Sequence, residues 1–296
     1  MRGKIIKSIA GFYEVHTGDT VYRCRAKGLF RALKQKPLVG DDVEIDITDT
    51  VSVPPEGNVI RLYPRTNALI RPNVANVDQA LLVFSITKPY PSYNMLDRFL
   101  LVLARKDLHA VICFNKKDLA SPEEIRELQE TYEACGCQVL FISNVTGESI
   151  DQVREVLAHK TTVITGPSGA GKSTLINLLC PHANMETGEI SRKISRGKNT
   201  TRHTELIEKN GIRVMDTAGF NLLEAENALD PGELKNRYPE FAPYEGKCRF
   251  RECLHDREPG CAVTAAAEKG EISSGRLERY RELLAEAKTV WRDRYD

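Results

Sequence analysis

The run from Thr161 to Thr174, Thr161-Thr162-Val163-Ile164-Thr165-Gly166-Pro167-Ser168-Gly169-Ala170-Gly171-Lys172-Ser173-Thr174, constrains the chain more than any other stretch. Its β-branched entry predicts a buried strand and its glycines a tight turn. Leu175, Ile176 and Leu179 predict the apolar face of a following helix. Gly166, Gly171, Lys172 and Ser173 fit the pattern G-x4-G-K-S, a phosphate-binding loop that must lie between a strand and a helix. Glycines let successive backbone N–H groups turn inward around phosphate oxygens, and the helix N-terminus adds partial positive charge. Pro167, Ser168, Gly169, Ala170 and Thr174 complete the cradle. Lys172 can reach the β- and γ-phosphates, and the Ser173 hydroxyl can ligate Mg²⁺. The loop implies a nucleoside triphosphate and leaves its base open.

A stretch upstream names the base. Residues 78–86 read as a buried strand, 96–105 as a helix and 110–114 as a second buried strand, which runs into Asn115-Lys116-Lys117-Asp118. A charged amphipathic helix over 122–135 follows, then a third strand over 138–142 ending at Ser143-Asn144, then a helix over 149–157. Strands alternating with helices predict a parallel doubly wound sheet. A carboxylate at Asp118 can accept from both the N1–H and the exocyclic amino group of guanine. Adenine has no matching pair of donors and would leave the acid unpaired. Polar matching of this kind discriminates by about 10⁴-fold or more. Asn115 is expected to brace the neighbouring loops and Lys116 to lie against the base plane, with Lys117 in the same turn. A backbone amide at Ser143 or Asn144 is expected to meet the guanine O6. The order is unusual, because base recognition here precedes the phosphate loop. A parallel sheet tolerates this if its former termini lay close together, since circular permutation preserves the contacts.

The segment 188–204 is polar and basic, with Arg192, Lys193, Arg196, Lys198 and Arg202, and it holds the position of a first switch loop. Thr200 or Thr201 is the expected Mg²⁺ ligand and γ-phosphate sensor, with Thr201 preferred. A strand pair over 204–208 and 211–215 ends at Asp216-Thr217-Ala218-Gly219, a D-x-x-G motif. Asp216 would hold Mg²⁺ through water, and the Gly219 amide would meet the γ-phosphate. Phe220 then stands where many GTPases place a water-orienting glutamine. Slow intrinsic hydrolysis follows, unless His203 acts as the catalytic group; the alternative for His203 is an ordinary surface histidine. Gly169 occupies the place of the asparagine that a potassium-assisted GTPase would need, which argues against that route.

Two further modules flank this unit. Residues 3–9, 11–16, 20–27, 42–47 and 57–63 read as short strands with turn signals between them, which suits a small OB-fold barrel. Arg23, Arg25, Lys27, Arg31, Lys34 and Lys36 fall within 21–36 without an acid among them, interleaved with Tyr22 and Phe30. A basic groove with aromatic platforms is how such barrels hold single-stranded nucleic acid. Net charge is only +1, so nucleic-acid contact must rest on local patches of this kind. Towards the C-terminus, Cys248, Cys253, His255 and Cys261 bring three thiolates and an imidazole within fourteen residues. That set suits a closed tetrahedral Zn²⁺ site, one structural ion per chain. Cys24, Cys113 and Cys180 read as core, and Cys135 with Cys137 as packing. A capped amphipathic helix over 274–295 places Leu277, Leu284, Ala287 and Trp291 on one face. No apolar run suits a signal peptide or a membrane span, so the expectation is a cytoplasmic protein. The predicted architecture is a multidomain α/β chain. An OB-fold RNA-binding barrel covers 1–67, a circularly permuted P-loop GTPase domain 68–222, and a zinc-binding domain with helices 223–296.

Barrel, N-K-x-D, phosphate loop, Thr-Thr-Arg-His-Thr over 200–204, D-x-x-G and the Cys/Cys/His/Cys knuckle stand in an order that resembles the RsgA family. These are circularly permuted GTPases of small-ribosomal-subunit biogenesis, and the resemblance covers essentially the whole chain. It implies a GTP hydrolase that binds the 30S subunit and its 16S rRNA near the decoding region. It also implies stimulation by that subunit and a late maturation role. By resemblance, guanine recognition falls on Asn115, Lys116 and Asp118, phosphate and Mg²⁺ on residues 166–174, and zinc on Cys248, Cys253, His255 and Cys261. A monomer acting away from membranes is expected. Two other readings suit the phosphate loop alone: a P-loop ATPase or nucleotide kinase, and an RNA-binding module with a structural nucleotide. The N-K-x-D motif disfavours the first, and the second predicts no turnover even with 30S present.

Overall fold

The computed structural model describes residues 1–18, 20–28, 30, 35–69, 73–88, 90–181, 205–216 and 230–293. In chain order, β1 (Arg2–Ile9), β2 (Phe12–His16), β3 (Val21–Ala26), β4 (Asp42–Asp49) and β5 (Glu56–Leu62) come first. Two short strands, β6 (Ala68–Leu69) and β7 (Val74–Ala75), precede β8 (Gln79–Ser85). Helix α1 (Tyr93–Arg105) leads to β9 (His109–Asn115), α2 (Pro122–Glu133), β10 (Gln138–Phe141) and α3 (Ile150–Leu157). Then come β11 (Thr161–Thr165), α4 (Lys172–Leu179), β12 (Glu205–Lys209) and β13 (Ile212–Asp216). Helices α5 (Pro231–Leu234), α6 (Ala262–Glu268) and α7 (Ser274–Arg292) end the described chain. Local chemistry sets the helix starts. The Ser92 side chain accepts from the Met95 amide, Ser121 and Glu124 form a reciprocal capping box behind Pro122, and Ser273 caps α7.

By compactness the chain divides into two units. The first contains the described residues within Met1–Leu81, Ile150–Thr165 and Gly171–Phe220. Alternation along its first five strands turns Val15, Cys24, Val43, Ile45 and Val59 inward. Strands β1, β2 and β3 pair antiparallel in sequence, β3 pairs with β5 in parallel, and β5 pairs with β4. The return pairing of β4 with β1 closes the sheet into the expected five-stranded barrel, whose strands leave no open edge. One expectation about its surface is corrected. Tyr22 is buried because β3 turns its even positions inward, and Phe30, beyond the end of β3, is buried as well, so neither is a stacking platform. Half-buried Phe12 instead carries the Arg23 and Arg25 guanidinium groups 4.1 and 4.7 Å from its ring centre.

In the same unit β11 pairs in parallel with β13, and β13 forms a hairpin with β12. Strand β12 meets β1 at Lys7 and Glu205, whose side chains form an ion pair at 2.9 Å. The turn at Gly40 shows why glycine is required there. Its φ is +94°, and a Cβ would come within 2.1 Å of the Ala75 carbonyl oxygen.

The second unit contains the described residues within Leu82–Ser149, Gly166–Ala170 and Asn221–Asp296. Strands β10, β9 and β8 lie side by side, with β10 and β9 parallel. The C-terminal elements share a core with α1: Leu101 packs with Leu234, Tyr238, Phe241, Tyr280, Leu284 and the thiols of Cys253 and Cys261. Leu277, Leu284 and Ala287 of α7 are buried, as their spacing predicts.

A charged hub joins the same helices. Asp97 on α1 is fully buried, and it receives Arg276 Nη1 at 2.6 Å and Arg279 Nε at 2.5 Å from α7. Tyr132 on α2 donates to it at 3.2 Å, and Arg276 Nε also donates to Glu240 at 2.5 Å. Burial alone would loosen the Arg276 proton, but Asp97 and Glu240 reverse this and hold it well above the usual range. Removing one partner of a buried ion pair strands the other charge, which costs about 3–5 kcal/mol. Asp97→Ala is therefore expected to destabilise the zinc-loaded protein by that amount. A urea midpoint unchanged from the parent would refute it.

Candidate nucleotide site and metal centre

The phosphate loop is built as the sequence requires. Strand β11 is buried along its length and delivers the chain to Gly166. Gly166 has φ of +143°, and a Cβ there would lie 2.0 Å from the Val83 carbonyl oxygen. This first motif glycine is thus a packing requirement as well as a phosphate one. Gly169 and Gly171 also adopt positive φ, at 79° and 96°. Gly171 is the N-cap of α4, which carries no side-chain cap and no acidic residue in its first turn. An uncapped helix N-terminus without local acid favours an anion. Lys172, Ser173 and Thr174 form that first turn, while Pro167 and Ala170 close the loop through a 3.4 Å backbone bond.

Asn115 ties the base-recognition turn to this loop. Its buried Nδ2 donates to the Ala170 carbonyl at 2.8 Å, and its Oδ1 accepts from the Asn144 amide at 3.1 Å. Lys116 has φ of +68°, which turns the chain into a short 3-10 turn over Lys117–Leu119. The Lys117 amide bonds to the Ile142 carbonyl at 2.9 Å, and its side chain pairs with Glu148. Lys116 Nζ donates to the Lys88 carbonyl oxygen. Asp118 is exposed on this turn and makes no hydrogen bond or ion pair with a described residue. The neighbouring loop is less accommodating. The amides of Ser143 and Asn144 already donate to Glu148 and Asn115, and the Ser143 hydroxyl accepts from Val145 and Thr146. Neither amide is presented to a guanine O6 in this conformation.

The remaining expected groups are only partly covered. Asp216 ends β13 opposite Ile164 of β11, which places its backbone beside the strand that feeds the phosphate loop. Thr200, Thr201, His203, Gly219 and Phe220 lie outside the described residues. Core cysteines behave as read from the sequence. Burial pushes the Cys24 thiol up to about 11 and the Cys113 thiol up to about 12, which leaves both inert.

Cys248, Cys253, His255 and Cys261 converge, with one ligand atom from each lying within 4.8 Å of the others. His255 Nδ1 lies 3.6 Å from the Cys248 sulfur and 3.5 Å from that of Cys261. A tetrahedron with metal–sulfur bonds near 2.3 Å and metal–nitrogen bonds near 2.0–2.1 Å has sulfur–nitrogen edges of about 3.5–3.6 Å. The donor set and its spacing therefore could hold a zinc ion. Burial, then the nearby Lys235 charge, lowers the His255 pKa and favours the neutral imidazole a metal needs. Amides of Ala262, His255 and Thr264 donate to the three sulfurs, which supports thiolate charge. Lys235 Nζ and the Tyr280 hydroxyl fix the knuckle by donating to the carbonyls of Cys253 and Leu254. Neither residue belongs to a motif, so neither is visible from spacing.

Comparison with known proteins agrees with this arrangement over nearly the whole chain. The family model described as RsgA GTPase matches residues 62–226, and that described as RsgA N-terminal domain matches residues 2–52. Small ribosomal subunit biogenesis GTPase RsgA of Agathobacter rectalis is 48% identical, covering 97% of this chain and 98% of its own. The protein of the same name from Alkaliphilus metalliredigens is 44% identical, with coverage of 97% and 98%. Among solved structures, YloQ, a circularly permuted GTPase, superposes with a TM-score of 0.75 at 35% identity, covering 97% of this chain and 95% of that one. YjeQ from Thermotoga maritima superposes with a TM-score of 0.75 at 31% identity, over 97% and 98%. With its closed barrel, its base motif ahead of its phosphate loop and its Cys/Cys/His/Cys centre, the chain belongs to the RsgA family of circularly permuted GTPases.

Proposed function

We propose that this chain hydrolyses GTP to GDP and phosphate on the small ribosomal subunit and assists the late maturation of that particle. The carrying observation is Asn115, whose side chain links the phosphate loop to the guanine-reading turn by bonds of 2.8 and 3.1 Å. Asp118 reads the base, residues 166–174 hold the phosphates, and Lys172 meets the β- and γ-phosphates. The Ser173 hydroxyl, with Thr201, is the Mg²⁺ ligand, and the bound ion would neutralise charge on the phosphate oxygens. Asp216 would hold the Mg²⁺ through water, the Gly219 amide meets the γ-phosphate, and His203 serves the attacking water in place of the glutamine that Phe220 displaces. The Cys/Cys/His/Cys centre holds one structural Zn²⁺.

Residues 1–67, 68–222 and 223–296 act as barrel, GTPase and zinc modules. The barrel offers exposed Arg23 and Arg25 to 16S rRNA, and the knuckle offers exposed Arg249, Phe250 and Arg251. The chain acts as a monomer in the cytoplasm, where that subunit is assembled. No helix among the described residues is long and apolar enough to cross a membrane.

GTP turnover with and without purified 30S, at several salt concentrations, tests this reading. Phe220 predicts slow turnover by the protein alone. Addition of 30S should accelerate it by more than about tenfold, since external groups that complete a GTPase site often add far more. The stimulation should fall as salt rises, because counterions compete for rRNA phosphates. Turnover indifferent to 30S would defeat the proposal.

A further inference from the structure

We propose that the cavity beside the β1–β2 turn takes up a single nucleotide, its base in the cavity and its phosphate against two lysines at the rim. The inference rests on the barrel being an RNA-facing module, and it adds to that reading an interior site for one unstacked base. The cavity has a volume of about 410 Å³, within the range of small-ligand pockets. Its walls come from Gly11 and Tyr13, from Ala26 at the end of β3, from Phe30, and from residues 35–37.

Tyr13 supplies the observation that calls for a ligand. It is only 5% exposed and lines the cavity, yet its hydroxyl makes no hydrogen bond with a described residue. That oxygen is not sealed from solvent, so a ligand can reach it. Burial, then the Asp41 charge, raises the Tyr13 pKa, so the hydroxyl stays protonated and can both donate and accept. Charge narrows the ligand further. Lys27 and Lys36 are exposed, no carboxylate lies in the lining, and neither ammonium group has an ion-pair partner among the described residues. Phe30, Pro37 and Ala26 supply apolar wall. A bare anion would use the lysines and leave that wall bare, and a neutral apolar ligand would do the reverse. A nucleotide uses both, and the polar edge of its base suits the Tyr13 hydroxyl and the exposed amide of Gln35. The surroundings favour RNA over an acidic peptide. Gly11 adjoins Phe12 and Ala26 adjoins Arg25, and those two neighbours pair across β2 and β3. The basic and aromatic patch therefore runs up to the cavity, and unpaired RNA is recognised by splaying out bases and reading their edges. A free nucleotide carries the same chemistry.

Isothermal titration calorimetry on the full, zinc-loaded chain, with GDP and Mg²⁺ filling the GTPase site, separates the two sources. The probes are a single-stranded uridine hexanucleotide, the same strand without bases, and uridine monophosphate. The base-bearing strand is expected to bind at least about fivefold more tightly than the abasic one, the low end of what one held base contributes. Tyr13→Phe removes only the hydroxyl. It should weaken the base-bearing strand by about threefold to tenfold, the order of one hydrogen bond, and leave the abasic strand unchanged. Lys27→Ala with Lys36→Ala, both at exposed positions, should weaken both strands and flatten their salt dependence. Tyr13-dependent binding of the monophosphate without the hexanucleotide would identify a free nucleotide as the occupant. Equal affinity for the two strands, or nucleotide binding indifferent to Tyr13→Phe, would overturn the proposal. So would Tyr13-dependent binding of N-acetyl-phenylalanine with neither nucleotide probe bound, which would give the cavity to a protein partner. If 30S still stimulates turnover, such a result strikes the cavity alone and leaves the barrel its contact with rRNA.

Discussion

Asp118→Asn is expected to lower GTP affinity by on the order of 10⁴-fold while leaving triphosphate binding by the loop intact. The carboxylate stands exposed on the Lys117–Leu119 turn without a partner among the described residues, and the turn is fixed by Asn115 and by the bond from Lys117 to Ile142. Its two oxygens suit the paired donors of guanine. An asparagine keeps the shape but turns one acceptor into a donor, which then faces the amino group of the base. Xanthine carries an oxygen where guanine carries that amino group, so the substituted protein should gain affinity for xanthosine triphosphate. Titration with both nucleotides checks the exchange. Unchanged GTP affinity would remove Asp118 from base recognition and reopen the adenine-nucleotide alternatives.

Stripping zinc from the C-terminal centre is expected to unfold its surroundings. Structural zinc contributes about 10–16 kcal/mol of apparent binding free energy in small metal-folded peptides. Even a fraction of that is large beside a total stability of about 5–15 kcal/mol. The thiols of Cys253 and Cys261 are core residues here, in one cluster with Tyr238, Phe241 and Tyr280. Those rings pack closely, with Tyr238 and Phe241 stacked 5.0 Å apart and Tyr280 edge-on to both. A strong chelator, or Cys261→Ser, should therefore release one zinc per chain and abolish the near-ultraviolet circular dichroism of this aromatic cluster. Lowering the pH should have the same effect, because protons compete for the ligands. A chain purified without stoichiometric zinc, yet with that signal intact, would contradict the assignment.

What the sequence made legible was chemistry carried by short contiguous segments. The phosphate loop, N-K-x-D and the metal knuckle each need several residue types at fixed spacing, and each lies where spacing predicts. Alternation likewise marked the barrel strands to within a residue or two. The hub at Asp97 was hidden for the opposite reason. Asp97 lies 179 residues from Arg276 and 182 from Arg279, and each reads locally as a polar residue on an amphipathic helix. Periodicity reports which face of a helix is apolar; it cannot report a charge that is buried because its counter-charges arrive from the far end of the chain. The stacking platforms failed by a related route. Tyr22 and Phe30 lie among basic residues, yet the strand pleat puts Tyr22 on the inner face with Cys24. The β6–β7 hairpin, with two residues per strand, is too short to carry a period.

The shared core of α1 and the zinc module bears on how such a protein can change over generations. Motif boundaries alone put a seam between residues 222 and 223, a point at which a module could be lost or exchanged. Leu101 lies in the same core as Tyr280, and Asp97 takes both of its described counter-charges from α7. Losing α7 would uncover that leucine and leave the Asp97 carboxylate without those counter-charges. Asp97, Arg276 and Arg279 can therefore be replaced only together, and the C-terminal segment is inherited with α1 as one heritable block.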